Sequence, residues 1–333
     1  MSERSDLLES IANTIQDYRA GDLAEPTAEH VDRWVKQFCK NVQVPLLREL
    51  DAVLKETYLT RSFVSTFLDS LVTNVALVGN DPRAFWSGAQ FMQIQQNGHS
   101  QKEMLKVFNQ SLRRQCGPPI KCEKSGHYIY IDDVLFSGSR IGNDLTAWIT
   151  NTAPEKANVD VIVVAVHAFG EFKLIERLRE VIAGSGKKIK IRYWRAVTIE
   201  NRRYYKNNSE VLWPVAIPDD PDVQEYAARP QKFPFEPRTP GGSLGPFSSE
   251  EGRQLLEREL LIAGVKIRNL SQNPKEVLRP LGFSPFGLGF GSMIVTFRNC
   301  PNNSPLALWW GDPKATAGPF HWYPLLPRKT YEQ

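Results

Sequence analysis

The sequence predicts an α/β fold built on a parallel sheet, and three observations predict it. Between residues 85 and 200, short β-branched runs alternate with amphipathic stretches of helical period. The run "VDVIVVAVHAF", starting at Val159, is apolar at nearly every position, as expected of a strand covered on both faces. The stretch "HYIYIDDVLFSGSRIGNDL", from His127 to Leu145, carries an apolar strand into two adjacent acids, a glycine turn and a helix start. Like charges placed side by side at the end of a buried strand cost free energy unless something uses them.

The elements follow in chain order. Ser5 to Tyr18 places Leu7, Leu8, Ile11, Ala12 and Ile15 at helical spacing. Thr27 is the expected N-cap of "AEHVDRWVKQF", in which Val31, Trp34, Val35 and Phe38 share a face. "PLLRELDAVLKETY" and "TRSFVSTFLDSLVTN" continue the pattern, with Pro45 tolerated in a first helical turn. Residues 1–84 therefore read as a helical N-terminal subdomain. "AQFMQIQQ" (Ala89–Gln96) reads as a short strand, and "NGHS" as a turn in which Gly98 supplies positive φ. "SQKEMLKVFNQSLRRQ" reads as a helix capped by Ser100. Then come the strand "HYIYID", the helix "NDLTAWITNT", the Val159 strand, the glycine-terminated helix "EFKLIERLREVIAGSG" and the strand "KKIKIRYWRAVTIE". Residues 85–200 are thus the α/β core. From Leu212 to Pro246, proline and glycine are dense, which marks a surface excursion or a site cover. "SSEEGRQLLERELLIAGVKIRN" is a helix with Ser248 or Ser249 as cap and Glu250 and Glu251 at its positive end. "GSMIVTFRNCPNNSPLALWWGD" reads as a strand, a polar turn and a second apolar run, so residues 201–333 form a C-terminal α+β extension.

Bulk properties narrow the class. The 333 residues are 41% hydrophobic and 23% charged, ordinary globular values with material for a real core. No apolar run approaches the ~18 residues of a membrane span. The opening "MSERSDLLESIANTIQDYRAG" is acidic and lacks the apolar stretch of a secretory signal, so a cytoplasmic location is expected. Cys39, Cys116, Cys122 and Cys300 form no CxxC pair, and free thiols are expected. A net charge of +4 is only mildly basic. The local run Glu200-Asn201-Arg202-Arg203-Tyr204-Tyr205-Lys206 reads as a solvated loop or as a patch that meets phosphate or nucleic acid.

In an open α/β sheet, ligands bind beyond the carboxyl ends of the strands. Asp132 and Asp133 stand at such an end. Ser137, Gly138, Ser139 and Arg140 then turn into a helix, whose free N–H groups and positive end suit a phosphate. Two carboxylates beside it suit vicinal hydroxyls or a hydrated Mg²⁺. The local chemistry predicts a sugar phosphate.

This stretch resembles the phosphoribosyl pyrophosphate (PRPP) motif of type I phosphoribosyltransferases: an apolar strand, two acids, two apolar residues and a hydroxyl-Gly phosphate loop. Tyr128–Ile131, Asp132, Asp133, Val134, Leu135 and Ser137-Gly138-Ser139 match it. The resemblance implies a phosphoribosyltransferase-like parallel-sheet core at 85–200 and a C-terminal hood at 201–333. It implies Asp132 and Asp133 as catalytic acids on the ribose hydroxyls, holding Mg²⁺ directly or through water. Ser137, Gly138, Ser139 and Arg140 would hold the 5-phosphate. Gln96, Asn97, Gly98, His99, Ser100 and Gln101 occupy the place of the family's pyrophosphate loop. His167, at the end of its strand, is a ligand contact or a structural histidine. In the hood, Asn302 and Asn303 can meet a base edge and Trp309 or Trp310 can stack on it; the other reading is a turn followed by buried tryptophans.

The match has departures. Arg140 stands where the motif ends in a hydroxyl residue, and Phe136 stands where some purine enzymes of the family carry an acidic base. The stretch from Gln101 to Tyr128 is mostly one helix, which leaves little room for the family's flexible hairpin. Two functions stay open: an enzyme that transfers or hydrolyses at the anomeric carbon of PRPP or a nucleotide with Mg²⁺, and a non-catalytic PRPP- or nucleotide-binding module. The helical front, "QNGHSQ", "YIDDVLFSGSR" and "PNNSPLALWW" also resemble phosphoribosyltransferase-like proteins of bacterial conflict and antiphage systems, including those accompanying retron reverse transcriptases. That resemblance implies a defence effector with a protein partner such as a reverse transcriptase and its nucleic acid.

Overall fold

The structure is a computed structural model that describes residues 2–95, 100–120, 123–230 and 233–328. Chain order runs α1 (Glu3–Thr14), α2 (Ala28–Val35), α3 (Gln43–Thr57), β1 (Tyr58–Leu59), α4 (Arg61–Val72), α5 (Val75–Val78), α6 (Pro82–Gly88) and β2 (Gln90–Phe91). It continues with α7 (Ser100–Cys116), β3 (His127–Leu135), α8 (Ser139–Asn151), β4 (Lys156–His167), α9 (Ala168–Ser185), β5 (Lys188–Trp194) and β6 (Val197–Ile199). A 3-10 helix (Arg203–Asn208), α10 (Pro221–Ala228), α11 (Glu250–Asn269), β7 (Val295–Thr296) and α12 (Leu306–Trp309) complete it. Contacts group the chain into two compact units, Met1–Arg61 with Asn201–Gln333, and Ser62–Glu200. Two of the stretches separated in the sequence, 1–61 and 201–333, therefore fold as one unit, and 62–84 joins the sheet unit.

The unit Ser62–Glu200 is the α/β core. Its strands lie in the order β2-β3-β4-β5, all parallel, and β6 pairs with the carboxyl-terminal part of β4. The β4 run is buried from Val159 to His167, which is why it carries almost no polar residue. On one face Val159, Val161 and Val163 pack with Ile141, Leu145 and Ile149 of α8 and with Leu174 and Leu178 of α9. Gly186, with φ +70°, ends α9 in the left-handed conformation that a Cβ disfavours.

Several local readings shift by a few residues. β2 is held to β3 over only Gln90↔Tyr128 and Phe91↔Ile129, with the Met92 amide donating to the Ile129 carbonyl, so the expected strand to Gln96 is shorter. Ser100 is the first helical residue of α7 rather than its cap. β3 runs through both acids to Leu135, so Asp132 and Asp133 lie inside the strand and not after it. "KKIKIRYWRAVTIE" breaks into β5 and β6 around Arg195 and Ala196.

In the other unit, β1 pairs with β7 in parallel. Thr27 caps α2 by accepting from the His30 amide, and Ser249 caps α11 by accepting from the Gly252 amide. The indoles of Trp34 and Trp322 both donate to the Ala307 carbonyl, at 2.8 and 2.9 Å. The proline-rich segment is tied down by charge: Arg238 bonds Glu257 of α11 at 3.0 Å, and Arg253 reaches the same carboxylate at 2.9 Å. All three side chains are buried, and removing any one would strand the others. The apolar run after Pro305 forms the single helical turn α12. Cys39, Cys116 and Cys300 are free thiols; Cys122 lies outside the described residues. Among the described residues, no helix is long and apolar enough to cross a membrane.

Candidate functional site

Asp132 pairs in register with Val163 of β4, and its side chain is buried while that of Asp133 is half-buried. Each carboxylate bends back on the backbone: Asp132 Oδ1 accepts from the Asp133 amide at 2.9 Å, and Asp133 Oδ1 accepts from the Val134 amide at 2.8 Å. Burial first, then the neighbouring Asp133 charge, push the Asp132 carboxyl up to about 7. The Ser100 hydroxyl, which donates to Asp132, and the Arg140 guanidinium hold it back from rising further. Beneath it, the Tyr130 hydroxyl donates to Asp144 of α8 at 2.9 Å, and both are buried. Asp144 was not picked out from the sequence. Its signal was there, since it falls on the apolar stripe of α8 between Ile141 and Trp148.

The loop after β3 is shaped by two glycines. Gly138 takes φ +72° and occupies the cap position of α8, which starts without a side-chain cap. Ser137 Oγ accepts a long bond from the Ser139 amide, 3.4 Å, and donates to Ser139 Oγ at 3.1 Å. A Cβ on Gly138 would lie 2.5 Å from the Gly170 carbonyl oxygen, and one on Gly170 would lie 1.8 Å from the Phe136 carbonyl oxygen. The loop and the first turn of α9 thus approach backbone to backbone. Gly170 carried no signal in the sequence, because its constraint comes from a residue far along the chain. Phe136 stacks on His167, ring centres 4.9 Å apart. His167 is buried at the end of β4, and its Nδ1 bonds the Leu135 carbonyl at 3.1 Å. Burial pushes its imidazole down to about 4, so the ring is neutral at physiological pH and Nδ1 carries the proton that it donates.

Gln96, Asn97, Gly98 and His99 lie outside the described residues. The chain on either side of them is closed by a reciprocal glutamine clasp. Gln101 Oε1 accepts from the Ile94 and Gln95 amides at 3.0 and 3.2 Å, and the Gln101 amide donates to Gln95 Oε1 at 3.1 Å. Gln95 Nε2 donates to Ser100 Oγ at 2.9 Å, and Arg140 Nη1 reaches the same oxygen at 3.4 Å. Ser100 and Gln101 are both buried, and Gln101 Nε2 is buried without an acceptor among the described residues. The structure therefore brings Ser100, Gln101, Asp132 and Arg140 together in one unit. Gln95, absent from the sequence-based site, ties them.

The C-terminal candidates belong to the other unit. The Asn303 side chain donates to the Phe283 carbonyl at 2.9 Å, and the Asn302 carbonyl accepts from the Phe283 amide at 2.7 Å. Trp309 is buried, with its indole N–H on the Ser304 carbonyl at 2.7 Å. Trp310 donates to the Pro319 carbonyl at 2.8 Å and stacks on Phe320. In the basic run, Arg203 pairs with Glu236, Arg202 lies over the Tyr205 ring, and Tyr204 is exposed.

Among the described residues, no group of three or more His, Cys, Asp or Glu side chains is placed to hold a metal ion. Asp132 and Asp133 are the residues that would hold a Mg²⁺, an ion that usually keeps waters and takes only one or two carboxylates.

A parallel sheet with paired acids near a strand end, followed by a left-handed glycine turn into a helix, makes this a phosphoribosyltransferase-like α/β protein. The PRTase-CE family model matches residues 31–328, and the chain belongs to that family. No curated protein and no solved structure matches it.

Proposed function

We propose that this chain binds PRPP or a nucleotide and acts at the ribose anomeric carbon, by transfer or hydrolysis, as an effector of a bacterial antiphage system. The observation that carries the ligand is the juxtaposition of Asp132 and Asp133 with the uncapped amino end of α8 at Gly138. Carboxylates on the diol and backbone N–H groups on the 5-phosphate are complementary to a phosphoribosyl group. Bond breaking at the anomeric carbon develops positive charge on the ring, which preorganised carboxylates stabilise. Asp132 and Asp133 would hold Mg²⁺, which when bound neutralises phosphate charge. The support for the defence role is the resemblance of the helical front and the motifs quoted above, and a reverse transcriptase with its nucleic acid is the partner that resemblance implies. The test is to incubate the chain with PRPP or nucleotides and Mg²⁺ and to follow released pyrophosphate or base. Turnover should fall by about 100-fold or more in Asp132→Asn/Asp133→Asn. Equal turnover in both proteins, or none in either, rejects the enzyme.

A second reading, a binding module without turnover, is favoured by a specific observation. Between Cys116 and His127 the described residues form no strand, and Phe136 is packed on His167 where some purine enzymes of the family carry an acid. Calorimetry showing tight PRPP or nucleotide binding with no product would select it.

A further inference from the structure

The Ser100 hydroxyl has one proton to donate and two lone pairs to accept with. All three are in use. It donates to Asp132, and it accepts from Gln95 Nε2 at 2.9 Å and from Arg140 Nη1 at 3.4 Å. These three neighbours belong to three different parts of the site. Asp132 is in β3, Arg140 follows the glycine turn into α8, and Gln95 belongs to the clasp that closes onto the first turn of α7. Ser100 is itself buried, so water does not readily replace a partner that leaves. Two features mark the parts on either side of it as anion-seeking. Arg140 is a cation beside the uncapped end of α8, and Gln101 offers a buried Nε2 donor with no acceptor among the described residues. The clasp holds the Gln101 side-chain oxygen on the Ile94 and Gln95 amides, so the group cannot flip to present oxygen in place of Nε2 without losing two bonds.

Resting on the phosphoribosyl reading of the site, we infer that Ser100 is a positioning residue that couples two anion subsites, one at the start of α7 and one at the Ser137–Arg140 turn. An anion that draws on Arg140 competes for the longest of the three Ser100 bonds. An anion that meets the Gln101 donor loads the clasp that holds Gln95. Either event resets the same hydroxyl. The first anion resets the Ser100 hydroxyl, and the second meets a hydroxyl already reset. The substrate class that exploits such coupling carries phosphate groups at both ends of a ribose, and a ligand with one phosphate engages only half of the device.

The test is thermodynamic linkage in the full chain with Mg²⁺ present. Calorimetry gives the affinity of inorganic pyrophosphate and of ribose 5-phosphate, each alone and each in the presence of the other. Their ratio is the coupling factor, which must be equal in both directions. Ser100→Ala should lower that factor by about fivefold, a size ordinary for coupled sites. Ser100→Thr keeps the hydroxyl and should hold the factor within about twofold of the wild type. Arg140→Lys keeps the charge but loses the guanidinium fork, and should lower the factor as Ser100→Ala does; it serves if the alanine variant fails to fold. An unchanged factor in folded Ser100→Ala or in Arg140→Lys overturns the inference and leaves the ligand reading standing. No binding of either probe by the wild type overturns both.

Discussion

Asp160 on β4 and Asp132 on β3 are buried aspartates on neighbouring strands of the same sheet. Asp160 receives the Arg192 guanidinium in a fork, Nε to Oδ1 at 2.7 Å and Nη2 to Oδ2 at 3.1 Å, and the Trp194 indole N–H at 2.9 Å. The same guanidinium donates on to the Ala76 and Leu77 carbonyls at 2.7 and 3.2 Å. Asp132 has no such counter-ion fork among the described residues. Its nearest charges are a second carboxylate, which opposes its ionisation, and Arg140, which bonds Ser100. The difference separates a buried charge that serves the fold from a carboxyl that the fold leaves without a counter-ion fork among the described residues. A structural carboxylate has a full set of donors inside the chain, whereas Asp132 is left with a carboxyl that titrates near neutrality.

The comparison can be broken in four ways, taken in order of size. Asp160→Ala should cost about 3 kcal/mol, the low end for splitting a buried pair, because Arg192 is part exposed and water can reach it. Urea unfolding measures this, and a loss below about 1 kcal/mol would remove the structural role. Gly170→Ala should cost about 2 kcal/mol and displace the Phe136–Gly138 turn, since its Cβ would fall 1.8 Å from the Phe136 carbonyl oxygen. Phosphate-ligand affinity should fall with stability in that variant.

Asp132→Asn should act in the opposite direction from Asp160→Ala. An unfolded Asp132 releases its proton near pH 3.8, while the folded one holds it to about 7. Stability is therefore lost as pH rises between those values, and the cost is full above about 7. Asparagine escapes it, so the melting temperature should rise by about 2–4 °C above that pH and be unchanged below 3.8. The smallest effect at neutral pH concerns His167. Its folded value is lowered from 6.5 to about 4, so stability falls as pH drops through that window and the unfolded chain takes up the proton. His167→Asn, which keeps a donor for Leu135, should flatten the denaturation midpoint between those pH values.

The parts of this molecule legible in the sequence are those governed by local pattern. Period and polarity placed α7, α8, α9 and β4, and the motif placed Asp132, Asp133 and Ser137–Arg140 in one stretch. What escaped depends on distant partners. Gly170 is required by the Phe136 carbonyl, Asp144 by Tyr130, and Gln95 by its clasp with Gln101. The joining of residues 1–61 with 201–333 likewise rests on contacts such as Trp34 with Ala307, which no window of sequence contains. The two acids look like a strand terminus in the sequence, yet their side chains bond back to their own backbone and the ladder runs on to Leu135.

We propose that Asp132 and Asp133 hold a phosphoribosyl ligand. The most direct test is a calorimetric titration of the full chain with PRPP and Mg²⁺, wild type against Asp132→Asn/Asp133→Asn, with thermal unfolding to show that both are folded. The account predicts saturable binding by the wild type and a loss of about 100-fold or more in the folded variant, as expected when charge-assisted bonds to a diol are removed. Equal affinity in the two proteins, or no binding by the wild type, would contradict it.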